Sequence, residues 1–171
     1  MNNKIVNRVA NSGLITIDLS DYATKKPIEN LDLKKFLFEG LILKEKDFRF
    51  RLTQFDFSFY KNKIVAVNCS ANSILPMWAF MLISSQLNEV NADVYFGSKE
   101  AVSEQVFIKN IEAISEYKFE NKKVIVKGCG GVNLTAGAYI AITNKLQNVV
   151  HSLMFGEACS SVPVFKRSRA K

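Results

Sequence analysis

Apolar and polar residues alternate from residue 63 onward in a way that predicts strands and helices in turn. Mostly apolar runs predict parallel strands at residues 63–68, 93–96, 123–127 and 152–155, with a short edge strand at 162–165. Amphipathic stretches predict helices at residues 76–90, at 99–117, and from a cap at 133 or 135 to 149. Strands that alternate with helices of this length are typical of an α/β sheet with right-handed crossovers.

The first third of the chain is less regular and predicts a small α+β extension. It is expected to contain a strand at 13–19, a loop at 20–30, a helix capped by Asp32 at 33–39, and a helix at 43–54. In the run 43–60, residues 48, 50 and 52 alternate like a strand, whereas Phe48, Leu52, Phe55 and Phe59 form a stripe at helical spacing. The charged residues 44–47 favour a helix. We interpret the aromatic stripe as core packing.

Two stretches of the chain repeat each other. Residues 78–97 and 137–156 align without a gap at an offset of 59 residues, and Cys69 and Cys129 occupy equivalent places after the first strand of each copy. A duplicated β-α-β unit has a natural arrangement, in which the two first strands lie side by side at the centre. We therefore predict one doubly wound, mainly parallel sheet of strand order 2-1-3-4.

Length and composition predict one compact domain. We divide the 171 residues into an N-terminal extension (1–62), the duplicated core (63–165) and a basic tail (166–171). No apolar run approaches the roughly 18 residues of a membrane span, and the N-terminus has no apolar signal core. A cytoplasmic protein with no membrane partner is the expectation.

The formal net charge of +7 is unevenly distributed. The extension carries +3, the duplicated core is neutral, and the tail supplies the remaining +4. Phosphate backbones favour a continuous basic face, which this distribution does not provide. No nucleic-acid partner is expected.

Three cysteines carry the candidate chemistry. Cys69 and Cys129 are predicted at the carboxyl ends of neighbouring strands, beside the crevice where doubly wound sheets bind ligands. Cys159 follows the last helix-linked strand, in a small-residue loop stiffened by Pro163 that could fold over the crevice. An odd number of cysteines in a reducing compartment argues against structural disulfides. The pattern predicts a thiol-lined site.

Four interpretations of this site stay open. The cysteines could be thiolate ligands of zinc or an iron–sulfur cluster, with Glu157 as an additional ligand. They could perform redox or sulfur-transfer chemistry. They could also be small buried residues without chemistry. In a fourth, metal-free interpretation, a binding module holds a small anion on the turn formed by Gly128, Gly130 and Gly131.

A Cys–His catalytic pair is not expected. His151, the single histidine of the sequence, precedes the strand that Cys159 follows. An extended strand of that length holds its two ends roughly 15–20 Å apart at ~3.3 Å per residue. Hydrogen-bond contact between the two side chains is therefore excluded.

Several segments together resemble a bacterial protein family of unknown function, the one numbered 2480. They are Val6–Gly13, Gly40–Arg49, Cys69–Ala71 with Pro76–Ala79, Lys127–Cys129 and Phe155–Pro163. The resemblance implies a loose association with iron–sulfur cluster assembly systems, and hence a protein partner in cluster assembly. It assigns no catalytic residue. Our leading hypothesis is a metal-binding or iron–sulfur accessory protein with Cys69, Cys129 and Cys159 as ligands; whether it is an enzyme or a homo-oligomer stays open.

Overall fold

The computed structural model of the protein describes residues 13–128 and 134–168. The strands in these residues are β1 (Leu14–Asp18), β2 (Ile28–Asp32), β3 (Ile64–Asn68), β4 (Asp93–Phe96), β5 (Lys123–Lys127), β6 (Ser152–Glu157) and β7 (Ser160–Lys166). The helices are α1 (Glu45–Thr53), α2 (Met77–Glu89), α3 (Lys99–Glu112) and α4 (Ala136–Leu146). The predicted mainly parallel α/β fold is confirmed.

The described residues divide into two compact units. The first unit comprises residues 13–24 together with the described residues from 106 onward, and the second unit comprises residues 25–105. The division falls within α3 and differs from the boundary that we predicted at residue 62. The reason is that β1 and β2, which are close in sequence, pair with strands of different sheets.

The second unit is built on a parallel sheet of order β2-β3-β4. β3 is central and mostly apolar, and its residues from Ile64 to Val67 are all buried. Helix α2 directs Ala79, Ile83 and Leu87 into the core, at the spacing of one helical face. The carboxyl ends of the three strands therefore lie at one edge of this sheet.

Aromatic residues fill much of the core of the second unit. Phe48 of α1 is fully buried, and its ring makes edge-to-face contacts with Phe36 and Trp78 at centroid distances of 5.9 and 5.8 Å. Phe55 contacts Phe36 in the same way at 5.2 Å. Contacts of this kind stabilise a core beyond the area that they bury. The interpretation of the aromatic stripe as core packing is confirmed for Phe48 and Phe55.

The first unit is built on a sheet of order β1-β5-β6-β7. β1, β5 and β6 are parallel, whereas β7 returns antiparallel to β6 as an edge strand. The register shifts between Leu153 and Met154, where Met154 pairs with Pro163. Proline is tolerated there because an edge strand leaves one side without ladder hydrogen bonds. The predicted edge strand is confirmed.

The predicted single sheet of order 2-1-3-4 is wrong. Strands 1 to 4 of that order are now β3, β4, β5 and β6, so the order requires β3 and β5 to be neighbours. Instead, β3 lies between β2 and β4, and β5 lies between β1 and β6. The error arose at β2, because the polar residues Glu29 and Asn30 made residues 28–32 resemble a loop. β2 is an edge strand in which only Leu31 is fully buried, so it carries little of the apolar signal of a parallel strand.

The predicted helix at 33–39 is shorter than expected. The chain forms a 3-10 turn over Leu33–Phe36, and Asp32 caps it by accepting a hydrogen bond from the Lys34 amide. The cap prediction is thus correct. A closely similar turn follows β1, where Asp18 caps Leu19–Tyr22. An aspartate therefore ends the first strand of each sheet.

Candidate functional site

Polar side chains cluster at the carboxyl ends of the strands in the second unit, where parallel α/β sheets bind ligands. β2 ends at Asp32, β3 ends at Asn68, and β4 is followed by Gly97. The Asn68 amide nitrogen lies 3.0 Å from the Asn30 side-chain oxygen and 3.4 Å from the Gly97 carbonyl oxygen. Asn68 therefore links all three strands at this edge.

Asp32 organises the loop that follows β3. One carboxylate oxygen accepts hydrogen bonds from the backbone amides of Lys34 and Ser70, at 2.9 and 3.0 Å. The other accepts a hydrogen bond from the Ser70 hydroxyl at 2.5 Å. Partial burial acts to raise the pKa of Asp32, but the hydrogen bonds from Ser70 and Lys34 outweigh it and hold the pKa below its usual value. Asp32 is therefore ionised at neutral pH and fixes the position of Ser70 after β3.

Cys69 lies between Asn68 and Ser70, directly after β3. Its thiol is partly buried against the core, with the sulfur 3.9 Å from the Ala71 carbonyl oxygen. The described residues hold no group of three histidine, cysteine, aspartate or glutamate side chains that could bind a metal ion. Since residues 25–105 are all described, the second unit by itself does not fit a resident metal at Cys69.

The corresponding edge of the first unit is dominated by an ion-pair chain. Lys127, the last residue of β5, places its ammonium 3.5 Å from a carboxylate oxygen of Asp18 and 3.9 Å from one of Glu157. Hydrogen bonds from Ser20 are the largest cause that holds the pKa of Asp18 below its usual value, and the Lys127 charge adds to it. Glu157, a predicted additional ligand, thus faces a cation here.

The predicted anion-binding turn is only partly described. Cys129, Gly130 and Gly131 lie outside the described residues. Gly128 is described, and a Cβ atom at its position would overlap the side chains of Leu134 and Tyr139. Glycine at 128 leaves room for the ends of these two side chains, so its presence does not by itself indicate a bound anion.

We expect Gly128→Ala to destabilise the first unit by about 1–3 kcal/mol, the usual cost of an added methyl group in a packed site. Urea denaturation measures this effect. The same substitution made in a Leu134→Ala/Tyr139→Phe background should cost clearly less, because both overlapping groups have been removed. An equal cost in both backgrounds would show that packing against these two side chains is not the reason for the glycine.

Cys159 is exposed in the hairpin turn between β6 and β7. Glu157 pairs with Ser160 across this turn, so the thiol lies at the tip beyond the last bridge. The two described cysteines, Cys69 and Cys159, belong to different units. The three-cysteine site stays a prediction.

His151 lies at the amino end of β6, with its amide bonded to the Lys122 carbonyl oxygen at 2.8 Å. Cys159 lies beyond the carboxyl end of the same strand. The prediction that a full strand separates the two side chains is confirmed.

The network of Asp32, Asn68 and Ser70 did not emerge from the sequence pattern. Its signal was the pair of polar residues that flank Cys69, together with the sequence Asn30-Leu31-Asp32. These residues predict a shared polar cluster only when residues 28–32 are recognised as a strand parallel to β3.

In the described ranges, no helix is both long and apolar enough to cross a membrane. Comparison with curated proteins gives no match, and comparison with solved structures gives none either. A family model described as "Protein of unknown function (DUF2480)" matches residues 3–167. The resemblance that the sequence suggested is thereby confirmed, and the chain belongs to the DUF2480 family.

Proposed function

We propose that this protein is a metal-handling or iron–sulfur accessory protein that binds its cargo through Cys69, Cys129 and Cys159. The observation that carries the proposal is the place of Cys69 and Cys129 in the sequence, where each follows an inner strand of its unit's sheet. Carboxyl ends of parallel strands are the usual ligand edges of α/β folds. Thiolates are the preferred ligands of zinc and of iron–sulfur clusters.

We infer that the two units are copies of one ancestral strand–strand–helix–strand unit. Backbone details recur at the offset of 59 residues that relates the sequence copies. Asn62 and Asn121 both adopt positive φ, at 59° and 55°, and their amides bond to the carbonyl oxygens of Val90 and Val149. This correspondence supports equivalent roles for Cys69 and Cys129.

Side-chain packing repeats as well. The rings of Phe80 and Phe96 meet edge to face at 5.6 Å, and those of Tyr139 and Phe155 do so at 5.5 Å. Each pair joins the helix to the last parallel strand of its unit. Duplication would thus give the protein two related ligand edges.

The incomplete donor set at Cys69 favours cargo handling over a permanent metal site. A structural zinc site normally has four protein ligands, and the second unit does not supply even three around this thiol. Further ligands would therefore have to come from outside this unit. An accessory protein that receives and releases metal needs such an open coordination sphere.

Metal titration of the reduced protein tests the proposal. We expect the wild type to withdraw Zn²⁺ from a chromophoric chelator, and Cys69→Ser, Cys129→Ser and Cys159→Ser each to weaken that binding at least about tenfold. Ser161→Ala, two residues after Cys159, serves as a matched control and should bind Zn²⁺ as the wild type does. Anaerobic reconstitution with iron and sulfide, followed by absorbance, tests for a cluster.

Two results would overturn the proposal. One is a wild-type protein that takes up neither zinc nor a cluster; the other is uptake that none of the three substitutions changes. Rapid thiol labelling of a protein that takes up no metal would support redox or sulfur-transfer chemistry instead.

A further inference from the structure

A basic cleft lies at the amino end of the sheet in the first unit, the end opposite to Glu157 and Cys159. Its volume is about 620 Å³, and it is lined by Lys123, His151, Lys166, Arg167 and Ser168. This cleft is separate from the thiol-bearing strand ends on which the proposed function depends.

The antiparallel return of β7 builds the cleft. Lys123 is the first residue of β5 and Lys166 is the last residue of β7, and both pair with Ser152 of β6 between them. The Arg167 amide then donates a hydrogen bond to the His151 carbonyl oxygen at 2.9 Å. Residues 166 and 167, the first two residues of the predicted basic tail, are thus held against the sheet.

The positive charge of the cleft has no acidic counterpart in its lining. Among the described residues that line it, none is an aspartate or a glutamate. The Arg167 guanidinium donates to the Asn148 carbonyl oxygen at 2.5 Å and to the Asn121 side-chain oxygen at 3.3 Å, and both acceptors are neutral. Clustered like charges oppose folding, so an anion at this place would relieve the repulsion.

The first sequence copy has nothing equivalent. At the offset of 59 residues, Lys123 corresponds to Ile64 and His151 corresponds to Ala92. In the second unit, β4 is followed by α3 and has no antiparallel partner, so no residues match Lys166 and Arg167. The basic cleft is therefore particular to the first unit and is not a general feature of the repeated sequence.

We propose that this cleft binds the polyphosphate group of a small molecule. Its volume lies within the roughly 300–1,000 Å³ of small-molecule sites. Lysine and arginine side chains form their strongest hydrogen bonds with anionic oxygens, and several cations around one cleft match the several charges of a polyphosphate. Free pyrophosphate and the diphosphate of a nucleotide share this chemistry.

The surroundings favour a small ligand over a nucleic-acid strand. A neighbouring depression, which shares Arg167 with the cleft, is lined by Glu116 and Glu120. A long phosphate backbone that crossed the cleft would meet these carboxylates on that side, whereas nucleic-acid surfaces carry a continuous basic stripe. On that side, the positively charged surface is therefore limited to the cleft.

Calorimetric titration of the full chain with inorganic pyrophosphate, with ADP and with a single-stranded RNA tests the proposal. We expect pyrophosphate to bind, and Lys123→Ala/Lys166→Ala to weaken this binding about 100-fold, because two charge-assisted contacts are lost. Lys46→Ala/Lys61→Ala removes the same charge from exposed positions outside the cleft and should leave binding within about twofold. Tighter binding of ADP than of pyrophosphate would identify a nucleotide as the source of the polyphosphate.

Three outcomes would overturn the proposal. The first is no detectable heat of binding for pyrophosphate or ADP at concentrations up to about 10 mM, which corresponds to a binding free energy of less than about 3 kcal/mol. The second is equal weakening of pyrophosphate binding by the two double variants. The third is RNA binding that is tighter than pyrophosphate binding and depends on the same lysines. Thermal unfolding shows whether each double variant is folded. Failure here leaves the thiol-based function untouched, since that proposal is tested by metal binding at other residues.

Discussion

Phe48→Ala is expected to lower the free energy of unfolding of the second unit by about 3–5 kcal/mol. The Phe48 ring is fully buried and contacts both Phe36 and Trp78, so its removal leaves a cavity between α1 and the neighbouring elements of that unit. Urea denaturation measures the effect. Trp78, the single tryptophan of the sequence, reports the transition by its fluorescence because it lies beside the substituted ring.

Phe50→Ala is the matched control for this substitution. Phe50 lies on the same helix but is 63% exposed, so its loss should change the free energy by no more than about 0.5 kcal/mol. Similar denaturation midpoints for the two variants would contradict the core that we describe. A changed slope with denaturant would instead show that the compactness of the unfolded or folded state was altered, or that unfolding was no longer two-state.

Asp32→Ala is expected to destabilise the second unit by about 2 kcal/mol at neutral pH. The substitution removes the cap of a 3-10 turn and leaves the Ser70 amide and hydroxyl without their acceptor. The wild type and the variant can be compared by urea denaturation from pH 7 to pH 3.

The pH dependence of this difference follows from the lowered pKa of Asp32. A carboxyl whose pKa is lower in the folded state contributes stability above the unfolded value of about 3.9, and the contribution is lost as pH falls through the folded pKa. The difference between wild type and Asp32→Ala should therefore be constant down to about pH 5 and shrink below about pH 4. A difference that did not change at acid pH would show that the charge of Asp32 is unimportant.

Asp56→Ala controls for local turn chemistry. Asp56 accepts hydrogen bonds from the amide and hydroxyl of Ser58, but both groups belong to a single exposed turn. Asp32 instead joins the end of β2 to the loop after β3. The Asp56 variant should therefore lose less stability than the Asp32 variant.

Helices and parallel strands could be predicted because their apolar residues form short runs or follow a regular helical period. β4 and β5 begin and end where the pattern placed them, and β3 differs from its predicted range by one residue. Such strands are read from short apolar runs, and helix α2 from the spacing of Ala79, Ile83 and Leu87. Local sequence is sufficient where burial follows a regular period.

The arrangement of the strands could not be predicted in the same way. Whether β3 pairs with β5 or with β2 depends on contacts between segments that are distant in sequence, and β2 carries a weak local signal. The duplicated sequence suggested one sheet with a shared crevice, whereas each copy completes its own sheet with a strand from the N-terminal third. The predicted location of the thiol site depended on that shared crevice, so it changed when the strands proved to form two sheets.

The order of the strands along the chain has a consequence for folding during synthesis. The second unit is contiguous in sequence, so every strand that it needs has been made once β4 is complete. β1 is synthesised before all of them, yet Leu14 has its partner at Lys123. Long loops close slowly, and domains tend to fold as their residues emerge from the ribosome. We therefore expect β1 to remain unpaired and accessible to chaperones until β5 has been synthesised, by which time the second unit has already folded.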